Sequence, residues 1–282
     1  MTKDLLKINA KSFYWASFFL SKDIYIKCSF LYNFCRTLDD IADNDRTLLY
    51  KKEQFNKFKY DFLNKNFDNI IVKNMWKIIK SENISEKVVR DLFDGVEADL
   101  VENIQIKSKK NLLIYSYRVA GTVGLMMSKI LKVKSQEALK GAIDLGIAMQ
   151  LTNIARDVCE DKRRNRRYIS HDFPSIQETI NDSYIFYEKS FDSISSIPLR
   201  SRFSVIVARR VYRKIGDYIL KQKNINNYDK AGKIYIPRYE KIIQTLYSFF
   251  DFIKLLFVNE LNYDNHTNHR VLKDTINLDE RI

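Results

Sequence analysis

The chain has 282 residues, a formal net charge of +13 and 45% hydrophobic residues, with only 7 glycines and 3 prolines. So few turn-formers exclude a strand-and-turn architecture and leave long helices joined by short polar connections. No run of about 18 uncharged apolar residues occurs, which excludes a membrane-spanning helix.

The positive charge suits nucleic acid, an anionic membrane surface or an acidic substrate, or simply lysines spread over solvated faces. No Arg/Lys motif with interleaved aromatics is present, so nucleic acid is not expected as a partner. Asp4 and Lys7 interrupt any signal-type apolar core. Cys28, Cys35 and Cys159 show no C-x-x-C spacing, which fits a reducing, cytoplasmic setting.

Residues 4–20 read as a largely buried helix containing Ser12, Phe13, Ser17 and Phe18. Ser21 is placed to cap the next one. Residues 23–44 form a second long helix ending Arg36-Thr37-Leu38-Asp39-Asp40-Ile41-Ala42-Asp43. Asp39 and Asp43 are four apart and share a face with Arg36, while Tyr32, Ser29 and Tyr25 continue the stripe. Residues 46–81 read as amphipathic outer helices without chemistry. In 85–105, Asp99 faces either a polar cavity or solvent.

Residues 111–131 carry Tyr115, Tyr117, Gly121 and Gly124. Each glycine inside a helix costs about 1 kcal/mol against alanine. Close packing, a kink or backbone approach to a ligand must compensate. Residues 135–163 form a helix in which Asn153, Asp157 and Asp161 stand four apart, each about 6 Å along the axis from the last. Gln150 precedes this column and Arg156 flanks it. The basic run Lys162–Arg167 after it either holds a phosphate or complements the helix dipole. Residues 176–222 read as two helices broken at Pro198, with Tyr212 a buried polar candidate. Lys230, Lys233 and Arg238 lie on a loop suited to cover a site. Residues 241–260 form an apolar amphipathic helix. The domain is expected to span 1–260, followed by a polar, loosely ordered tail over 261–282.

Two oxygen-bearing columns facing one another suit hard divalent cations such as Mg²⁺, with Mn²⁺ as an alternative. A diphosphate leaving group needs that much cation, because several oxygens must be neutralised together. Apolar and aromatic residues on the neighbouring helices (Phe13, Phe18, Phe30, Tyr32, Tyr115, Tyr117, Val119, Leu125, Leu145, Met149) point to a greasy chain behind the diphosphate. Aromatic faces stabilise an allylic cation and a dry pocket shields it.

Four stretches then carry a family resemblance: Ser12-Phe13; Tyr32-x-Phe34-Cys35-Arg36-x-x-Asp39-Asp40-x-x-Asp43; Tyr115-x-Tyr117-Arg118-Val119-Ala120-Gly121-Thr122-Val123-Gly124; and Gln150 to Asp161. From about residue 8 to 250 the sequence resembles the squalene/phytoene synthase family, most of all its bacterial phytoene synthases. The resemblance implies an all-α isoprenoid-synthase fold around a central cavity. It also implies head-to-head condensation of two prenyl diphosphates through a cyclopropylcarbinyl diphosphate. It assigns Asp39, Asp43, Asn153, Asp157 and Asp161 to Mg²⁺. It assigns Arg36, Arg156 and Lys233 or Arg238 to diphosphate, with Ser12, Phe13, Tyr32, Gln150 and Tyr212 along the substrate. Tyr115 falls near the reacting carbons. The family often has glycine at Asn165 and proline at Ser170, which leaves that loop open.

Ser29, seven residues and about 10 Å back from Arg36, and Ser17, four beyond Phe13, are small. Serines there leave a long tunnel and favour two geranylgeranyl diphosphates, with phytoene formed through prephytoene diphosphate. The alternatives are C15 products (squalene, dehydrosqualene or presqualene diphosphate) or, outside catalysis, a silent scaffold partner. No nucleotide-binding glycine motif appears, so NADPH is not expected. A headless, greasy product predicts peripheral attachment to membrane lipid. The sequence leaves the oligomeric state open.

Overall fold

A computed structural model describes residues 11–258, 261, 272 and 274–282, without side-chain placement for residues 11–13. The helices are α1 Lys11–Ser17, α2 Lys22–Asp43, α3 Leu48–Leu63, α4 Ile70–Ser81 and α5 Glu86–Glu97, then α6 Lys109–Ser116, α7 Thr122–Ile130 and α8 Gln136–Arg163. They continue as α9 Phe173–Lys189, α10 Leu199–Leu220, α11 Ile225–Ala231 and α12 Arg238–Lys254. A π-helical turn, Tyr117–Gly121, joins α6 to α7 without a break. The fold is all-α apart from one two-residue parallel pair among the described residues: β1 Ile104–Gln105 beside β2 Arg166–Arg167.

Polar residues start many of these helices as their chemistry requires. Thr47, Asn69, Ser108, Ser135, Asp172 and Asn224 each accept a hydrogen bond from a first-turn amide. Ser21 occupies the cap position of α2 but makes no such bond.

The 28 residues of α8 span about 42 Å and form the central wall. One face joins the larger core with Leu139, Ile143, Ile147, Leu151 and Ile154. The opposite side gives Ala155 and Val158 to a second core with Ile176, Val207, Val211 and Ile215. Within the first core, Phe34, Phe55, Phe58, Phe62 and Phe93 pack ring to ring, with Trp76 stacked on Phe62.

The glycines of α7 and α8 form a seam. A Cβ on Gly124 would lie 2.2 Å from the carbonyl oxygen of Ala142, and one on Gly146 would lie 2.3 Å from that of Ala120. Close helix packing thus compensates the propensity cost, and the π-turn beside it adds a local irregularity. Asn165, where the resemblance implies glycine, takes φ 56°. Asparagine enters this left-handed region more readily than most residues, so the turn survives the exchange.

Of the tail, 262–271 and 273 lie outside the described residues, and the described remainder is ordered against the domain. Leu272, Ile276 and Leu278 are buried, and the Arg281 guanidinium grips Asp91 at 2.9 and 3.1 Å. Asp91 also accepts the Tyr117 hydroxyl at 2.9 Å. Residues 274–282 are docked rather than loose, because a buried carboxylate on α5 requires a cation and α5 itself offers none at that point.

Gly124→Ala should cost about 1–3 kcal/mol, since the clash is with backbone that cannot swing aside. Urea unfolding followed by circular dichroism measures it; an unchanged midpoint would show that α7 and α8 separate freely.

Candidate active site

The two columns meet at one end of a cavity of about 340 Å³, lined at its mouth by Asp39 and Tyr32 of α2, Gln150 and Asn153 of α8, and Tyr212 of α10. The spacing of four puts Asp39 and Asp43 on one face of α2, and Asn153, Asp157 and Asp161 on one face of α8. Basic side chains tie the columns together. Arg164 reaches Asp43 at 3.0 Å and Glu160 at 3.3 Å. Arg166 of β2 donates to Asp43 Oδ1 at 2.6 Å and to the Ala42 carbonyl at 3.1 Å. Arg156 holds Asp157 through two bonds of 2.8 and 2.6 Å, and Lys233 reaches Glu160 at 2.7 Å and Asp157 at 3.5 Å. Arg36 turns to Asp40 at 2.6 Å.

The acids outnumber their close partners, and the electrostatics show it. Enclosure by the cleft walls, then the charge of Asp43, pushes the Asp39 carboxyl up to about 7. Burial, then Asp157, pushes Asp161 up to about 7. Asn153 Oδ1 is buried without a hydrogen-bond partner. An orphaned carbonyl oxygen among carboxylates that resist ionisation is a donor set that fits a divalent cation.

Beside the columns, Tyr115 and Tyr168 stack at 4.8 Å between ring centroids. Their hydroxyls donate to the two oxygens of Asp99 at 2.7 and 2.8 Å, and lie 3.1 Å from each other. Burial raises Asp99 to about 6 against the pull of these two bonds. Burial, then the Asp99 charge, holds the Tyr115 hydroxyl protonated well above its usual range. Of the two environments open to Asp99, the polar pocket is the one it occupies.

Below the mouth the cavity is apolar. Val119, Val123, Leu145 and Met149 line it, and Leu131, Val133, Ala138, Ile194 and Ile197 close its far end. The fifteen residues of α8 from Asn153 back to Ala138 correspond to about 22 Å of depth.

The sequence-derived candidates divide. Asp39, Asn153, Gln150, Tyr32 and Tyr212 share the cavity wall, and Tyr212 sits beside Arg156 and Asn153. Asp43, Asp157, Arg156 and Lys233 are joined to one another or to its rim through the contacts above, while Asp161, electrostatically coupled to Asp157, lines a neighbouring cleft with Arg166 and Tyr168. Ser17 lines the cavity; Ser29 does not. The inward stripe of α2 runs through Cys35, and seven residues back from it stands Cys28, one position and about 100° away from Ser29. Arg238, exposed at the start of α12, forms no ion pair with the acids among the described residues. The side chains of Ser12 and Phe13 lie outside the described residues.

The expected aromatic lining is thinner than anticipated. Phe18 is 64% exposed, Tyr117 and Leu125 belong to the solid core, and Phe30 and Tyr115 lie off the apolar wall. The sequence reading missed Tyr168, Arg164 and Arg166 as individual site residues. Their only signal was the basic run ending in a tyrosine directly after the acid column.

Residues 6–178 match the model of the squalene/phytoene synthase family. The 15-cis-phytoene synthase of Pantoea ananas is 27% identical over 76% of this chain and 79% of its own. The bifunctional lycopene cyclase/phytoene synthase of Leptosphaeria maculans is 26% identical over 84% of this chain, which spans only 48% of that longer protein. A solved dehydrosqualene synthase superposes with a TM-score of 0.75 at 24% identity, covering 89% of this chain and 94% of its own. A solved squalene synthase from Alicyclobacillus acidocaldarius gives 0.67 at 15% identity over 77% and 91%.

The raised carboxylates predict a pH effect on the metal-free protein. A carboxyl whose folded pKa lies above its unfolded value binds its proton more tightly when folded, so its contribution is present below about pH 4 and lost as pH rises through about 7. Asp39→Asn should therefore come closest to the parent in thermal stability near pH 4 and exceed it by a growing margin up to about pH 8, in chelator. Melting curves at the two pH values check this; an equal offset at both would show that Asp39 ionises normally.

Proposed function

The chain belongs to the squalene/phytoene synthase family, and on that premise we propose that it joins two geranylgeranyl diphosphates head to head, giving phytoene through prephytoene diphosphate. That it is a prenyltransferase follows from the family. The observation that carries the finer reading is the continuous cavity running from Asp39 and Asn153 down to Ala138 and Ile197, with Ser17, Ser128, Gly141 and Ser193 in its walls. Small residues along the walls leave room for a long prenyl chain. The bacterial relatives carrying the phytoene synthase name support the same length.

In this reading Asp39, Asp43, Asn153, Asp157 and Asp161 hold Mg²⁺, which when bound supplies the positive charge that lets a diphosphate leave. Arg156, Arg164, Arg166 and Lys233, now paired with acids, would be available to diphosphate oxygens where cations held the acids instead. Arg36 is positioned to do the same. The apolar wall keeps water from the allylic cation. Tyr115 keeps its proton and, held by Asp99 and Tyr168, presents a fixed aromatic face to developing positive charge.

Membrane lipid is the proposed partner. Helix α12 is joined to the cavity wall through Trp15, whose indole N–H donates to Thr245 at 3.0 Å. Its outer side exposes Leu246, Phe249, Phe250 and Ile253, followed by Phe257 at 76% exposure, with Lys241 and Lys254 beside them. An apolar helix face flanked by lysines suits an anionic bilayer surface. No helix among the described residues is long and apolar enough to cross a membrane.

Purified protein with Mg²⁺ should turn over geranylgeranyl diphosphate to a C40 hydrocarbon without NADPH, and Asp157→Asn should lower kcat by about 100-fold or more. Turnover of farnesyl diphosphate alone would replace the C20 reading with a C15 one. In a separate flotation assay, the protein should rise with anionic vesicles and Leu246→Glu/Phe250→Glu should stay behind while melting normally. Equal flotation of both would remove α12 from the membrane reading.

A further inference from the structure

Helix α8 carries a second cluster on its other side. Cys159 lies two residues after Asp157 and two before Asp161, and two residues turn a helix by about 200°. Its thiol therefore leaves α8 away from the acid column. There it meets His171, from the segment between β2 and α9, and Asp229 of α11. Cys159 Sγ and His171 Nε2 each lie 2.9 Å from Asp229 Oδ1, and 3.7 Å from each other. All three donor atoms fall within 4.8 Å of one another. Two of the side chains are half-buried and Asp229 is exposed.

We propose that Cys159, His171 and Asp229 form a zinc site, separate from the oxygen-lined columns, that fastens α11 and the segment before α9 to the back of α8. One thiolate, one imidazole and one carboxylate are the donor types Zn²⁺ takes, while Mg²⁺ discriminates against sulfur and nitrogen. Bond lengths of roughly 2.0–2.3 Å in a tetrahedron place donors roughly 3.3–3.6 Å apart. The sulfur–nitrogen separation already has that size. The two contacts to Asp229 need opening by a few tenths of an ångström, and its exposed side chain can move by that much. Three protein ligands leave the fourth corner to water or a small anion.

Proton balance is simple. Zinc binding expels the Cys159 thiol proton to solvent and moves the imidazole proton from Nε2 to Nδ1. Lys162 Nζ now lies 3.3 Å from Nδ1 and, being exposed, swings out to solvent when that nitrogen becomes a donor.

The site would brace the active-site mouth from behind. Tyr228, next to Asp229, donates to the carbonyls of Ala155 and Arg156 at 2.9 and 2.7 Å. Four residues after Asp229, Lys233 reaches round to Asp157 and Glu160. A cation at Asp229 therefore fixes the segment that delivers Lys233.

Cobalt is the probe, added to full-length protein in excess Mg²⁺ so that the oxygen columns are occupied. A thiolate-to-cobalt absorption band should grow to a plateau at a single equivalent, disappear on addition of zinc, and be absent in Cys159→Ser and His171→Ala. Zinc should also slow alkylation of Cys159 in the unmodified protein, read by peptide mass, with Cys28 and Cys35 as internal comparisons. That second measurement needs no variant and decides the matter if a variant fails to fold. No thiolate band and no protection of Cys159 would overturn the site and leave only a hydrogen-bonded cluster in which thiol and imidazole share one carboxylate oxygen.

Discussion

Like-charge repulsion at the cleft mouth is the constraint on which this structure turns. Asp39, Asp43, Asp99, Asp157, Glu160 and Asp161 crowd one end of a cavity, and burial, with the neighbouring carboxylates adding to it, drives the carboxyls of Asp39 and Asp161 up to about 7. Such a cluster is tolerated because cations reach it: Arg156 from beside Asp157 on the same helix, Arg164 and Arg166 from the turn beyond it, Lys233 from the segment after α11. The arginines and the lysine are thus structural counterions when the columns stand alone. Under the proposed function they would be free for an anionic substrate wherever divalent cations took their place, so that one set of charges would serve both states.

Holding two columns at a fixed separation requires a rigid wall, and α8 supplies it. Its residues divide between two cores, so neither face can shift without disturbing packing on the other. The reciprocal contacts of Gly124 with Ala142 and of Gly146 with Ala120 bring backbones together at distances no side chain would allow. That approach keeps the seam between α7 and α8 narrow and makes it a wall of the cavity, with α2 and α10 lining other sides. Asp91, satisfied jointly by Tyr117 and Arg281, anchors the other side of α5.

Much of this was legible from residue spacing, because a four-residue repeat of carboxylates means one helical face whatever surrounds it. The all-α architecture followed from the scarcity of glycine and proline and from family motifs, and both columns with the flanking Arg156, Gln150 and Tyr32 from that rule and the same motifs. Errors arose where a reading depended on rotation about a helix axis. Counting back from Arg36 chose Ser29, whereas the inward stripe passes through Cys35 and therefore Cys28. In the stretch 111–131, close packing, a kink and a ligand were all open beside the glycines, and nothing in the spacing marks the π-turn at which Tyr117 enters the core. Composition alone suggested a loose tail; nothing local could show that Asp91, nearly two hundred residues away in sequence, awaits Arg281. Pairings at that range belong to tertiary structure and leave no periodic mark.

The π-turn at Tyr117–Gly121 has a genetic consequence. Such a turn is the imprint of one surplus residue absorbed inside a helix without unravelling either end. Excising a single codon there would close the bulge into regular α-helix with the two flanking halves close to their present rotation, whereas excising one from the regular turns on either side would rotate one half against the other by about 100°. In that second case Tyr115 would swing away from Asp99, or else the glycine seam would come out of register. Reading-frame-preserving deletions would therefore be tolerated within this short stretch and purged from the helical turns beside it.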